Sequence, residues 1–306
     1  MVIAVHLGRY GCVTAEATVT AMRARELGRR SVVVGDRVAL VGDVSGDPDQ
    51  LARIVRVAPR RSVLRRTADD DETTPEGRVE RVVVANADQL VIVSSLVDPP
   101  PRTGFIDRCL VAAYDAEIDP LLCLTKADLV EPDGGPVAML RDYYAELSLP
   151  YLLCRPDQPL DQLAAALAGR MSVLVGHSGV GKSTLVNRLV PDADRATGAV
   201  SAVGKGRHIS SSAVALRLPR PPRTRRDPGW IIDTPGVRSF GLAHVSADSL
   251  LHGFPDLVAG STGCPPRCQH TGNGCGLDAW VAAGHADPRR LASYRRLSAV
   301  RGRSAG

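Results

Sequence analysis

Three short motifs hold the residue types that bind and cleave a nucleotide, and they stand in an unusual order. Gly176-His177-Ser178-Gly179-Val180-Gly181-Lys182-Ser183 is a complete Walker A phosphate loop between an apolar strand and a helical stretch. Its glycines let backbone amides wrap phosphates at a helix N-terminus. Gly176, Ser178, Gly179, Val180, Gly181 and Thr184 are therefore expected to bind the nucleotide. No side-chain chemistry is assigned to His177 or Ser178. Lys182 should reach the β- and γ-phosphates, and the Ser183 hydroxyl should bind magnesium. Asp233-Thr234-Pro235-Gly236 matches the DxxG motif. Asp233 is expected to hold magnesium through water, and the Gly236 amide to meet the γ-phosphate.

Thr125-Lys126-Ala127-Asp128 matches the (N/T)KxD guanine reader. The Asp128 carboxylate can accept both donors of the guanine edge, which adenine does not offer, and Lys126 would lie along the base. Thr125 stands where asparagine is commoner, so its contact should differ. The guanine reader ordinarily comes last, yet here it precedes the phosphate loop by about fifty residues. That order is the one expected of a GTPase whose sequence is circularly permuted around an intact site. Lysine supports both motifs: of 38 basic residues only Lys126, Lys182 and Lys205 are lysine, and two of these fall inside the motifs. A compact ammonium suits a phosphate loop better than a forked guanidinium.

The residue after Gly236 is Val237, which cannot orient an attacking water as glutamine does, so intrinsic hydrolysis should be slow. Switch I is expected at 204–211. Ser210 or Ser211 could cap magnesium there, with Ser211 carried as the candidate ligand. His208 is a catalytic candidate for positioning water; the plain alternative is an exposed loop histidine.

Cys264-x3-Cys268-x-His270-x4-Cys275 supplies three thiolates and one imidazole in a loop rich in proline and glycine. Four such ligands make a closed tetrahedral set, which indicates one structural zinc ion rather than a catalytic one. The alternative is three unligated cysteines and a chance histidine. The remaining cysteines, Cys12, Cys109, Cys123 and Cys154, are scattered and read as small buried hydrophobes in a reducing compartment.

The elements around these residues divide the chain in three. Over 1–66, short segments alternate between glycine-rich turns, as in a small β-barrel. An OB-type barrel is expected there, and another small β domain would give the same pattern. Residues 67–77 read as an acidic linker. Over 78–245, apolar strands alternate with helical stretches, which predicts an α/β domain with a mainly parallel sheet. Strands are expected at 81–85, 89–96, 121–124, 151–154, 172–175, 213–218 and 230–232, and helices at 103–114, 137–147, 160–169 and 182–189. Each motif follows a strand end, where open α/β sheets bind ligands. Residues 246–306 form the zinc-binding region. No apolar run reaches the roughly 18–20 residues that cross a bilayer. Met1–His6 is short and lacks a basic lead for a signal peptide, so a cytoplasmic location is expected. A net charge of +5 is compatible with an RNA partner.

Several stretches together resemble one family. They are Pro59-Arg60-Arg61-Ser62-Val63-Leu64, Ala85-Asn86-Ala87-Asp88-Gln89, the permuted motifs, Gly206-Arg207-His208, Phe254-Pro255-Asp256 and the Cys/His cluster. Across essentially the whole chain this resembles the ribosome small subunit-dependent GTPase A family (RsgA, YjeQ) of circularly permuted bacterial GTPases. The resemblance implies an OB barrel, a permuted GTPase domain and a zinc domain. It implies GTP/GDP, magnesium and zinc as cofactors, and hydrolysis stimulated by the 30S subunit during its late maturation. The implied partners are the 30S subunit and its 16S rRNA, bound by a monomer, with no membrane and no DNA. The chain departs from the family in places. The usual zinc spacing, C-x4-C-x-H-x5-C, is one residue shorter in both longer gaps. Ile209, Ser210 and Ser211 replace switch I threonines. No clear serine-alanine loop appears near Cys154-Arg155-Pro156. Two other readings stay open: a GTP-binding RNA adaptor that does not hydrolyse, and a permuted GTPase of the large subunit. From connectivity, switch II movement is expected to reposition the zinc domain that follows it.

Overall fold

The apolar alternation at the N-terminus resolves into five strands, β1 (Val2–His6), β2 (Arg9–Val13), β3 (Thr18–Arg23), β4 (Val38–Gly42) and β5 (Ala52–Val57). The computed structural model describes residues 1–28, 32–67, 80–131, 133–191, 213–220, 227–234, 240, 242, 245–266, 268–270 and 274–304. The strands lie in the order β1-β2-β3-β5-β4, with β3 and β5 parallel and the other neighbours antiparallel. Val2 N donates to Asp36 O (2.9 Å), and Gly35 N to Val2 O (2.9 Å), so the segment ahead of β4 returns to β1. Period-two alternation sends Tyr10 and Cys12 of β2, Val19 and Ala21 of β3, and Ala52 and Ile54 of β5 into one small core.

Two further strands, β6 (Val63–Thr67) and β7 (Glu80–Ala85), pair antiparallel as a separate ladder. In β2 and β6 the apolar alternation is interrupted by Gly11 and by the Arg65-Arg66 pair. Around this ladder lies a polar joint. The carboxylate of Asp36, wholly buried, takes two bonds from Arg60 (2.7 and 2.9 Å) and one from Val33 N (2.8 Å). Asn86 accepts from Arg61 N (2.9 Å) and donates to Gly35 O (3.0 Å), while Ser62 Oγ donates to Ala87 O (2.7 Å). Asp88 accepts from Met171 N (2.8 Å).

The central sheet follows: β8 (Gln89–Ser95), β9 (Asp119–Thr125), β10 (Tyr151–Leu153), β11 (Met171–Val175), β12 (Val214–Arg217) and β13 (Trp230–Asp233). Its order is β10-β9-β8-β11-β13-β12. All pairs are parallel except β12 with β13, and β12 joins β1 through Ala4 and Val214 to make, among the described residues, one eleven-stranded sheet. β8, β9 and β11 read as largely apolar runs because both faces are covered. Along β8, Leu90 and Ile92 enter one core while Val91 and Val93 enter the other. α1 (Thr103–Asp115) and α2 (Gly135–Tyr143) cover the first face; α3 (Asp161–Leu167) and α4 (Lys182–Leu189) cover the second. α2 stops four residues before the expected end, and a separate 3-10 turn spans Ala145–Leu147.

The C-terminal part comprises α5 (Ala247–His252), α6 (Pro255–Val258), α7 (Gly276–Ala282) and α8 (Pro288–Ser304). It packs against α1 through a buried polar cluster. Arg290, 1 % exposed, pairs with Asp107 of α1 (2.8 Å) and Asp256 of α6 (3.0 Å). Asp107 also accepts from Tyr143 (3.0 Å), Tyr144 (3.1 Å) and Ser293. Burial pushes the Asp107 carboxyl up, while Arg290 and these hydroxyls draw it back. Among the described residues, no helix is long and apolar enough to cross a membrane.

Candidate nucleotide site and metal centre

β11 is buried along its whole length and delivers the chain to Gly176. A Cβ at Gly176 would lie 2.6 Å from Val93 O and 2.9 Å from Val180 Cγ2, so only glycine fits there. Gly179 and Gly181 adopt φ of +80° and +87°, the left-handed region that glycine enters freely. Gly181 caps α4, which leaves the unpaired amides of its first turn facing the loop. Lys182 opens α4 and Asp233 closes β13; their side chains form an ion pair with the lysine only 13 % exposed. The pairing follows from register, since Leu174 of β11 lies opposite Asp233 of β13. Buried Thr234 donates to Leu174 O (2.8 Å) and pins the start of the DxxG motif to the phosphate-loop strand.

The third motif arrives two strands away. Thr125 ends β9 and is buried, with its hydroxyl donating to Val180 O (2.6 Å). Its side chain lies 3.6 Å from where a Cβ of Gly181 would be. Thr125 thus turns its side chain into the phosphate loop. Lys126 is left-handed (φ 55°), and its ammonium donates to Asp98 O. Asp128 is exposed in the turn Ala127–Leu129. The order β9-β8-β11-β13 therefore gathers Asp128, the phosphate loop and Asp233 along one edge of the sheet.

Cys154 follows β10. Its amide donates to Leu124 O (2.7 Å), and its carbonyl accepts from Ala127 N (3.4 Å). The segment from Cys154 thus lies beside the Ala127–Leu129 turn that carries Asp128, although it holds no serine-alanine pair. Arg188 of α4 donates to Arg155 O (2.9 Å) and to Gln158 O. Neither Arg188 nor Phe105, whose ring meets His177 at 4.3 Å, is marked by any motif. The run Asp98-Pro99-Pro100-Pro101 is a visible signal that could have been used: Ser95 Oγ holds Pro99 O (2.6 Å), and Pro99 lies against Gly179. Gly236, Val237, His208, Ser210 and Ser211 lie outside the described residues.

In the C-terminal part, Cys264, Cys268, His270 and Cys275 converge, with their donor atoms all within 4.8 Å of one another. Cys264 Sγ is 3.3 Å from His270 Nδ1 and 3.6 Å from Cys275 Sγ, and His270 Nδ1 is 3.4 Å from Cys275 Sγ. Zinc–sulfur bonds of about 2.3 Å in a tetrahedron place ligands roughly 3.5–3.8 Å apart, so the donor set fits zinc. His270 N donates to Cys268 Sγ (3.4 Å) and Gly276 N to Cys264 Sγ (3.2 Å), and such amides orient thiolate ligands. The His270 amide lowers the Cys268 thiol, and burial and then Arg295 hold His270 toward its neutral form. Gly276 admits this approach, since a Cβ there would strike Gly263 C at 2.6 Å.

The sequence model of the RsgA GTPase family matches residues 57–243. The small ribosomal subunit biogenesis GTPase RsgA of Pseudomonas aeruginosa PAO1 is 39 % identical over 276 residues, 88 % of this chain and 76 % of that protein. Its namesake in Alcanivorax borkumensis is 37 % identical over 273 residues, 87 % of this chain and 72 % of that one. Among solved structures, YjeQ from Thermotoga maritima superposes with a TM-score of 0.71 at 23 % identity, covering 98 % of this chain and 97 % of its own. YloQ, described as a circularly permuted GTPase, superposes at 0.68 and 21 % identity, covering 98 % and 94 %. The two structures speak for the fold alone.

Proposed function

We propose, from the premise that this chain belongs to the RsgA GTPase family, that it hydrolyses GTP under stimulation by the small ribosomal subunit, late in that subunit's maturation. The observation that carries the reading is the convergence of Asp128, the phosphate loop and the Lys182–Asp233 pair along one sheet edge. Its relatives bear the name of small-subunit biogenesis GTPases, and the partner proposed here is the 30S subunit with its 16S rRNA. Lys182 and the loop amides would bind GTP or GDP phosphates, and Asp128, with Lys126 along the base, would select guanine. Magnesium, held by Ser183 and through water by Asp233, would supply charge neutralisation at the phosphates. Gly236, His208 and Ser211 keep their proposed roles at the γ-phosphate, at water and at magnesium.

We further divide the chain into an N-terminal barrel over 1–66, a permuted GTPase domain over 78–245 and a zinc-binding domain over 246–306. The order β1-β2-β3-β5-β4 and the return of Gly35–Asp36 to β1 support an OB-type barrel. The Cys/His cluster would hold one structural zinc ion. A cytoplasmic monomer is the form in which this activity is expected.

The test is phosphate release from GTP and from ATP, with and without purified 30S subunits. Strong stimulation by 30S, specific for GTP and abolished in Lys182→Ala, is expected. GTP binding without turnover under any condition would overturn the reading.

A further inference from the structure

Two thiols that the nucleotide site does not use touch each other beneath it. Cys123 of β9 is wholly buried, and its sulfur lies 3.2 Å from that of Cys154, just beyond the edge strand β10. We propose that Cys123 and Cys154 form a reversible disulfide when a hydroperoxide reaches the protein, and that this bond weakens guanine-nucleotide binding. The second half rests on the reading of Asp128 as the residue that selects guanine.

The displacement needed is small and falls on one side. A disulfide bond is about 2.05 Å long, so the sulfurs must close by roughly 1.1 Å. β9 is laddered on both flanks, by β8 and by β10. Cys154 follows a three-residue strand at the sheet edge, so it is the residue that yields. Its carbonyl accepts the Ala127 amide at 3.4 Å, and Ala127 separates Lys126 from Asp128. The next carbonyl, of Arg155, holds Arg188 on the phosphate-loop helix. Drawing Cys154 toward Cys123 therefore disturbs the turn that presents Asp128 and a tie to α4 together.

Access and reactivity also differ between the two thiols. Cys154 lines a cavity of about 330 Å³ with Leu152, Gln158, Leu160 and Leu163, large enough for a small peroxide. The Cys123 thiol as hydrogen-bond partner and the Arg188 guanidinium lower the Cys154 thiol. That same bond and burial push Cys123 well up. A thiolate is the nucleophile toward peroxide, so Cys154 attacks and Cys123 resolves. The Cys154 thiolate sulfur takes one peroxide oxygen and the O–O bond breaks. The departing oxygen carries away the electron pair and the proton that Cys154 gave up, leaving a sulfenic acid. Cys123 sulfur then attacks Cys154 sulfur, and the S–O bond breaks. The released hydroxide takes the Cys123 proton as water. Two thiols are oxidised by two electrons, and one hydroperoxide is reduced to an alcohol and water.

The experiment treats zinc-loaded full-length protein with hydrogen peroxide and traps free thiols. It maps cross-linked peptides by mass spectrometry and titrates a fluorescent GDP. The same steps are applied to Cys123→Ala and to Cys154→Ser. We expect a Cys123–Cys154 cross-link, an affinity for GDP about ten-fold lower, recovery with dithiothreitol, and no loss on oxidation of either variant. Absence of the cross-link, a cross-link that leaves GDP affinity unchanged, or equal loss in the variants would each overturn the proposal. Reduced protein that binds ADP as well as GDP would instead refute guanine selection by Asp128, independently of whether the cross-link forms.

Discussion

Replacing Thr125 by valine separates two jobs that one motif ordinarily conceals. The substitution keeps the shape of the side chain against Gly181 and removes only the hydroxyl that donates to Val180 O at 2.6 Å. Losing one partner of a buried hydrogen bond costs about 1–3 kcal/mol. At 1.4 kcal/mol per decade, that is a roughly 5- to 150-fold shift against the phosphate loop's built conformation. Because this hydroxyl is spent on the backbone of the phosphate loop, the loss should fall equally on every nucleotide. Calorimetric titration of Thr125→Val should therefore show weaker GDP and weaker ADP binding with an unchanged ratio between them. Thr125→Ser, which keeps the hydroxyl, should stay near the parent. Asp128→Asn should do the opposite and collapse the GDP-to-ADP ratio. A Thr125→Val protein with parental GDP affinity, or with an altered ratio, would refute the assignment of Thr125 to the loop.

Other consequences follow from the same geometry. Lys182→Ala and Asp233→Asn each remove one half of the ion pair at the phosphate site; stimulated turnover should fall about a hundred-fold or more in each, measured as phosphate release. Arg290→Met leaves Asp107 and Asp256 buried without their cation. It should cost about 3–5 kcal/mol in urea unfolding, whereas a loss below about 1 kcal/mol would show the cluster to be solvated. Cys268→Ser should drop bound zinc from one ion per chain to near zero by atomic absorption, with a lowered melting temperature and retained GDP binding. Chelation of the parent protein should reproduce that melting shift.

The motif residues were legible because their chemistry is local. Gly179 and Gly181 announce a left-handed backbone, Gly176 a close approach to Val93 O that admits no side chain, and Cys264 to Cys275 announce ligands by type and spacing. The central strands were legible for a related reason: two covered faces leave no polar alternation in Leu90–Val93. The residues that join the parts were not. Asp36 and Arg60 meet across 24 positions, Thr125 and Val180 across 55, and Asp107 and Arg290 across 183. No periodicity encodes such distances. The stretches around Arg60-Arg61-Ser62 and Asn86-Ala87-Asp88 marked a family resemblance, but only three dimensions reveal them as the two sides of a joint. Cys123 and Cys154 read as isolated small hydrophobes, correctly as to burial, yet strand register brings their sulfurs together.

Connectivity alone assigned the coupling between nucleotide and zinc region to the segment after the DxxG motif, most of which lies outside the described residues. The packing provides a second connection. Phe105, in the first turn of α1, rests on His177 of the phosphate loop. Two residues on, Asp107 binds Arg290 of α8, whose guanidinium also lies 4.4 Å from the ring centre of Phe254. Farther along α8, Arg295 donates to His270 O at 2.9 Å, within the metal cluster itself. Separating α8 from α1 would strand the buried carboxylate of Asp107 and take from Arg290 one of its two anionic partners, at about 3–5 kcal/mol. A displacement of the zinc region that keeps this cluster intact must carry α1 with it. Because the first turn of α1 touches the phosphate loop, such a displacement is felt where the nucleotide's phosphates would bind, and linkage requires the converse as well.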